Sequence, residues 1–184
     1  QHAKARIDLE DSYRGGTRML LLSVPQSDAQ GLVTMRERQL EVRIPKGIRD
    51  GQHLRLAGQG DPGLGSGAAG DLYLEINIAP NPHFRVDGRD VYVDMPVAPW
   101  EAILGAAITV LTPDGSVQLT VPAGSTGGRK LRLKGRGIPC TPAGDLYVLL
   151  SIVLPPANVE PAREAYRQMR DAFADFNPRR SLEA

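Results

Sequence analysis

Ile44-Pro45-Lys46-Gly47-Ile48-Arg49-Asp50-Gly51-Gln52-His53-Leu54-Arg55-Leu56-Ala57-Gly58-Gln59-Gly60 returns later in the chain as Val121-Pro122-Ala123-Gly124-Ser125-Thr126-Gly127-Gly128-Arg129-Lys130-Leu131-Arg132-Leu133-Lys134-Gly135-Arg136-Gly137. The offset is 77 (Pro45 to Pro122), and 8 of the 17 aligned positions are identical. All the shared residues are Pro, Gly, Leu or Arg. A second shared stretch follows each copy, Gly70-Asp71-Leu72-Tyr73 and Gly144-Asp145-Leu146-Tyr147. There the offset is 74, so the connecting loop of the second copy is three residues shorter. A repeat of this length marks a duplicated supersecondary unit.

The shared residues have a physical reading. Leu40, Val42 and Ile44 alternate with polar residues, as do Val117, Leu119 and Val121. Period two is the signature of a half-buried strand. Pro45 and Pro122 end these strands, and Gly47, Gly51, Gly124 and Gly128 supply turns. Leu54 and Leu56 then face one way and His53, Arg55 and Ala57 the other. Leu131 and Leu133 repeat this, with Lys130, Arg132 and Lys134 outward. Leu72, Leu74 and Ile76 open the next strand, as Leu146, Val148 and Leu150 do in the second copy. Each copy starts on a short helical stretch closed by glycine, Leu9 to Gly16 and Pro99 to Ala106. A strand follows it, Met19 to Val24 and Ala107 to Leu111. Thr112-Pro113-Asp114-Gly115 predicts a hairpin turn. The first copy has a longer connection, Pro25 to Gly31.

The expected fold class is all-β. It comprises two tandem β-sandwich domains, 1–81 and 82–156, and a helical segment, 157–184. In that segment Asn158 is a candidate cap and Glu160-Pro161 suits a first helical turn. Ala162, Tyr166, Met169, Phe173 and Phe176 share a helical face, and the helix is expected to end before Asn177-Pro178.

Composition narrows the function. The chain has 184 residues and a net charge of +1, so no global field draws it to nucleic acid or anionic lipid. Gly (20) and Pro (15) suit short strands joined by turns. A lone cysteine, Cys140, excludes an intramolecular disulfide and a cysteine-rich zinc site, and the chain reads as cytoplasmic. No apolar run reaches the roughly 20 residues of a membrane span. A start at Gln1 rather than Met implies a piece of something longer.

No catalytic constellation is evident. His2, His53 and His83 have no metal-ligand spacing. Cys140 lies in a Pro-Cys-Thr-Pro turn without a base beside it. Gly58-Gln59-Gly60-Asp61-Pro62-Gly63 and Gly65-Ser66-Gly67-Ala68-Ala69-Gly70 match a dinucleotide fingerprint. That motif works through a following helix N-terminus, whereas a loop and a strand follow here. No enzyme activity, metal or cofactor is expected.

Three segments remain as binding candidates. Arg129, Lys130, Arg132, Lys134 and Arg136 place five cations in eight residues. They are either phosphate contacts for DNA or the solvated face of a strand; no aromatic interleaves for base stacking, and spacing alone favours the solvated face. The terminal helix either folds back on its own chain or meets a second copy through Tyr166, Met169, Phe173 and Phe176. A homodimer is the favoured expectation. Met19 to Val24 is apolar on both faces. It is either a central strand buried on both sides or one that lines a groove for an extended peptide.

Pro45 to Gly51, the Leu-Arg-Leu-x-Gly-x-Gly strands, Gly-Asp-Leu-Tyr, Asn81-Pro82-His83-Phe84-Arg85-Val86-Asp87-Gly88-Arg89-Asp90 and Pro96 to Gly105 together resemble the C-terminal region of DnaJ-type (J-domain) co-chaperones. The tail Phe176-Asn177-Pro178-Arg179-Arg180 is similar to the curved-DNA-binding protein (CbpA) branch. The resemblance implies tandem peptide-binding β-domains and a C-terminal dimerisation segment. It also implies capture of non-native polypeptide clients and their delivery to the chaperone DnaK. Carried onto this sequence, the client groove takes Leu20, Leu22 and Leu74, with Arg18 at its mouth and Ala3 and Ala5 on the adjacent strand. The family's J-domain, with its His-Pro-Asp motif, is not in this chain, and neither is the zinc-binding cysteine insertion of one family class. The branch name brings DNA binding through Arg129 to Arg136, and a nucleoid location, level with the solvated-face alternative.

Overall fold

The computed structural model describes residues 1–28, 30–62 and 67–183. Residues Gln1–Ile152 form one unit and Val153–Ala184 a second. The first copy of the repeat runs β1 (His2–Ile7), α1 (Leu9–Arg14), β2 (Gly16–Ser27), β3 (Val33–Ile44), β4 (His53–Leu56) and β5 (Leu72–Ile78). The second opens with a hairpin, β6 (Phe84–Asp87) and β7 (Asp90–Val97). It continues through α2 (Pro99–Leu104), β8 (Ala106–Thr112), β9 (Gly115–Val121), β10 (Lys130–Leu133) and β11 (Leu146–Ile152). The chain is mostly β, as the alternating pattern required.

The copies share a strand plan. β1 runs parallel to β5 and β7 parallel to β11, while β4 and β10 pair antiparallel with β5 and β11. They differ in the hairpin. β2 and β3 join the first sheet, of order β3-β2-β1-β5-β4. β8 and β9 stand as a two-stranded sheet beside the four-stranded β10-β11-β7-β6. The β8–β9 turn is the predicted Pro113-Asp114 pair, flanked by the Thr112↔Gly115 register. Thr112 Oγ1 accepts from the Asp114 N–H and donates to the Gly115 carbonyl, which fixes the turn.

The first hairpin is longer than the pattern implied. β2 runs on through Pro25 to Ser27, and β3 begins at Val33 rather than near Leu40. The added rungs, Val24↔Arg36 to Ser27↔Val33, are largely solvent-facing. Main-chain pairing rather than burial holds them, so apolar alternation could not reveal them.

The repeated motif encodes a clamp. Asp71 of the first Gly-Asp-Leu-Tyr accepts the Gly58 N–H at 3.1 Å and the Arg55 Nε–H at 2.7 Å. Asp145 does the same with Gly135 at 2.8 Å and Arg132 at 2.7 Å. Each carboxylate thus ties the turn after Leu-Arg-Leu to the start of the next strand. The turn N–H first, with the guanidinium second, holds Asp71 below the usual carboxylate range. For Asp145 the Gly135 N–H is again the leading cause, and Arg132 lowers it further against a partial loss of hydration.

Two apolar clusters form. One contains Ala3, Ala5, Leu22, Val24, Val42, Ile44, Leu72, Leu74 and Ile76. The other contains Phe84, Val91, Val110, Val121, Ile138, Leu146 and Val148, and also Leu9 and Tyr13 from α1 of the first copy. Backbone meets backbone closely at this junction. Gly47 has φ +83°, and a Cβ there would lie 2.4 Å from the Pro139 carbonyl oxygen. Only glycine permits that approach.

In the second unit α3 (Glu160–Ala172) is capped by Val159 rather than Asn158. It ends a turn earlier than the apolar spacing implied, because Phe173 leaves the helical region at φ −115°, ψ 41°. Phe176 lies in the turn that follows, its N–H bonded to the Phe173 carbonyl.

Candidate functional site

β2 has unequal edges. Along one it pairs with β3 at every position from Gly16↔Ile44 to Ser27↔Val33. Along the other it meets β1 at a single register position, Lys4↔Ser23. Among the described residues no strand pairs with Thr17–Leu22 on that side. Each such stretch carries main-chain donors and acceptors open to an added strand.

The side chains around this fork alternate between two faces. Leu20, half-buried, and Leu22, fully buried, point to the inner face, where they join Ala3, Ala5 and Leu74 in one apolar cluster. The structure therefore brings the sequence-derived groove residues together. Leu22 and Leu74 have 0% exposure and lie within that cluster, while Leu20 packs at its partly exposed margin. Ala3 and Ala5 contribute the small buried side chains of β1 to it. On the outer face Met19 and Leu21 are 62% and 61% exposed. The strand is therefore not buried on both sides: its inner face joins the core and its outer face is open.

Arg18 stands at the start of β2. Its Nε donates to Asp11 Oδ1 at 2.7 Å, and Asp11 also receives the Asp8 N–H that caps α1. Arg18 is therefore held to α1, which carries Tyr13 into the second apolar cluster.

The basic run is less free than its sequence implies. Arg132 is paired with Asp145, Arg129 donates to Ser125 Oγ at 3.4 Å, and the Lys130 ammonium lies 4.8 Å from the Tyr147 ring centroid. Tyr147 stacks on Tyr92 of the neighbouring strand at 5.1 Å. Aromatics do interleave with these cations, through the cross-strand row Arg132↔Tyr147↔Tyr92↔Arg85. The Asp94 carboxylate answers Arg85 at 2.8 Å. Lys134 and Arg136 have no ion-pair partner among the described residues.

In the second unit Tyr166 is half-buried and donates its hydroxyl to the Pro155 carbonyl. Met169, Phe173 and Phe176 are exposed around an open hollow of about 830 Å³. Among the described residues there is no cluster of three metal-ligating side chains, and no helix is long and apolar enough to cross a membrane. The first glycine fingerprint loses Gly63 to the undescribed stretch, and the second loses Gly65 and Ser66. Gly58 and Gly60 of the first belong to the turn after β4.

Residue spacing alone did not single out Lys4 and Arg6. Both lie on the exposed face of β1, whose pattern alternates strictly between exposed and buried. The signal was present in His2-Ala3-Lys4-Ala5-Arg6-Ile7, a period-two stretch with basic residues on one face.

The family model described as DnaJ C terminal domain matches residues 1–155. A curved DNA-binding protein of Coxiella burnetii (strain RSA 493 / Nine Mile phase I) is 49% identical over 183 residues, 99% of this chain and 58% of that protein. Curved DNA-binding proteins of Pseudomonas putida (strain KT2440) and Escherichia fergusonii are each 44% identical over 174 residues. Those alignments cover 93% and 94% of this chain and 54% and 57% of the relatives. The chain spans little more than half the length of these curated relatives. By the match over 1–155 and by these identities, the chain belongs to the DnaJ C-terminal domain family, a family of co-chaperones.

Proposed function

We propose that the chain captures extended segments of non-native polypeptide along β2, for delivery to a DnaK-type chaperone. The observation that carries this reading is the fork between β1 and β2. It combines an unpaired strand edge with an apolar floor of Leu20, Leu22 and Leu74. A client strand would add main-chain hydrogen bonds to Thr17–Leu22 and place alternate side chains on that floor. Each leucine-sized side chain buried contributes roughly 1.5–3 kcal/mol before ordering costs. Such binding is weak and tolerant of sequence, as a carrier of diverse clients requires.

The organisation that goes with this reading is a client-gripping part (1–81), a spacing part (82–156) and a dimerising tail (157–184). Exposed Met169, Phe173 and Phe176 would meet their counterparts in a second copy. Two weak grips on one dimer raise avidity without new contacts. The setting is the cytoplasm.

Leu20→Ser tests the groove, because Leu20 packs at the margin of the core cluster rather than within it. The chain should suppress aggregation of a denatured client, and the variant should lose most of that suppression when assayed well below its own melting temperature. Undiminished suppression would remove β2 from the site.

The relatives' name favours a second reading, DNA binding at the nucleoid. Lys134 and Arg136 are its best-placed cations, since Arg132 is already paired. Affinity for a duplex should fall with salt, and Lys134→Gln with Arg136→Gln should flatten that slope by about two phosphate contacts. A slope unchanged by the two substitutions would place DNA elsewhere.

A further inference from the structure

The outer face of the fork sets cations of β1 against apolar residues of β2. β1 exposes Lys4 and Arg6 on its outer side, and β2 exposes Met19 and Leu21 on the same side. Lys4 lies 3.8 Å from Glu75 on β5, with most of its side chain in solvent. Arg6 is in register with Asn77 and has no ion-pair partner among the described residues. The nearest outer-face acids on the other side are Glu37 and Glu41 of β3, opposite Ser23 and Met19. They lie beyond β2. Strands are about 4.8 Å apart, so a strand added along β2 would sit roughly 10 Å from those acids, about one Debye length. Its other neighbour in the fork would be β1, with Lys4 at the closed end and Arg6 beyond it.

From this asymmetry we infer that the fork selects extended polypeptide whose apolar residues alternate with glutamate. The inference rests on the polypeptide-binding reading above. Side chains of an added strand point alternately in and out. Those pointing in meet Leu20, the partly exposed margin of the cluster that holds Ala3 and Ala5. Those pointing out have Met19 and Leu21 on one side and Lys4 and Arg6 on the other. Glutamate fits such a place, its methylenes on the apolar side and its carboxylate toward the cations. A lysine there would face like charge. Lys4 and Arg6 are thus specificity-determining residues, separate from the leucines that supply grip.

The test uses the full chain and three short labelled peptides of equal length, in which leucine alternates with glutamate, serine or lysine. Fluorescence anisotropy reads their affinity. The glutamate peptide should bind tightest and the lysine peptide weakest, by about fivefold between the extremes, as for two exposed ion pairs. Salt should shrink the spread. Lys4→Gln with Arg6→Gln should flatten the ranking while the serine peptide binds as before. Equal affinities in the unmodified chain, or a ranking that survives the double substitution, would overturn the inference. Leu20→Ser separates it from the underlying reading. If it weakens all three peptides and the ranking is flat, only the charge selection fails. If it weakens none, the groove itself is wrong.

Discussion

The hydroxyl of Tyr13 donates to the backbone carbonyl of Arg136 at 2.8 Å, across 123 residues of sequence. It is the point where the first copy of the repeat enters the second. Tyr13 lies on α1, whose next residues, Gly15 and Gly16, lead into β2. Burial, and to a lesser degree Asp114, pushes its phenol pKa up, so the proton stays on the oxygen that must donate it. The same helix holds Arg18 through Asp11. The strand proposed to bind clients is thus anchored in the core of the neighbouring copy.

Tyr13→Phe keeps the ring and removes the donor, leaving the Arg136 carbonyl short of its partner. It should lower stability by about 1 kcal/mol, read from the urea midpoint. Tyr13→Ala empties a core position and should cost about 3–5 kcal/mol. A Phe variant as damaging as Ala would mean that the ring had lost its place.

The duplicated clamp predicts an acid-sensitive fold. Asp71 and Asp145 have folded pKa values below their unfolded ones. A depressed carboxylate contributes stability that is fully present above the unfolded value of about 4 and is lost as pH falls through the folded value. Melting temperature should therefore drop on acidification below about pH 4. Asp71→Asn with Asp145→Asn should lower stability at neutral pH and blunt that drop. An unchanged acid limb would show that these carboxylates are not clamped.

The two glycines ahead of the shared Asp-Leu-Tyr should behave differently despite their equivalence in sequence. A Cβ on Gly144 would lie 1.7 Å from the Arg89 carbonyl oxygen, whereas one on Gly70 meets nothing within 4 Å. Gly144→Ala should cost on the order of 3 kcal/mol, as overpacking against backbone does. Gly70→Ala should fall within about 0.5 kcal/mol of the parent. Equal effects on thermal unfolding would contradict the close approach.

Met169→Asp with Phe173→Asp places charge on the exposed face of the second unit without touching the β-sheets. Sedimentation should show a homodimer for the parent and a monomer for the variant, with the β-sheet circular dichroism unchanged. Truncation after Pro156 should match the variant. A dimer that survives both changes would have its interface elsewhere.

Much of the fold was legible because duplication doubled the signal. Leu54, Leu56, Leu131 and Leu133 alternate as written, and Gly15 and Gly105 close the two short helices where expected. What was hidden depended on contacts between distant residues. The Arg55–Asp71 and Arg132–Asp145 clamps join motifs that look independent along the chain. The Tyr92–Tyr147 pair sits beside the basic strand only through sheet pairing. The solvent-facing rungs of β2 and β3 carry no burial pattern, and the end of α3 depends on the backbone angles of one residue. For the candidate site, the leucines were readable from alternation and family resemblance. The fork was not, because one register position between β1 and β2 has no signature in residue type.

The most direct test is amide hydrogen exchange of the full chain with and without a denatured client. An added strand must bond to the main chain of β2, whatever its side chains. Exchange should therefore slow at Thr17–Leu22 on client binding, while the amides of β8, at the same place in the second copy, stay unchanged. Client binding that leaves Thr17–Leu22 exchanging as fast as before would contradict the account.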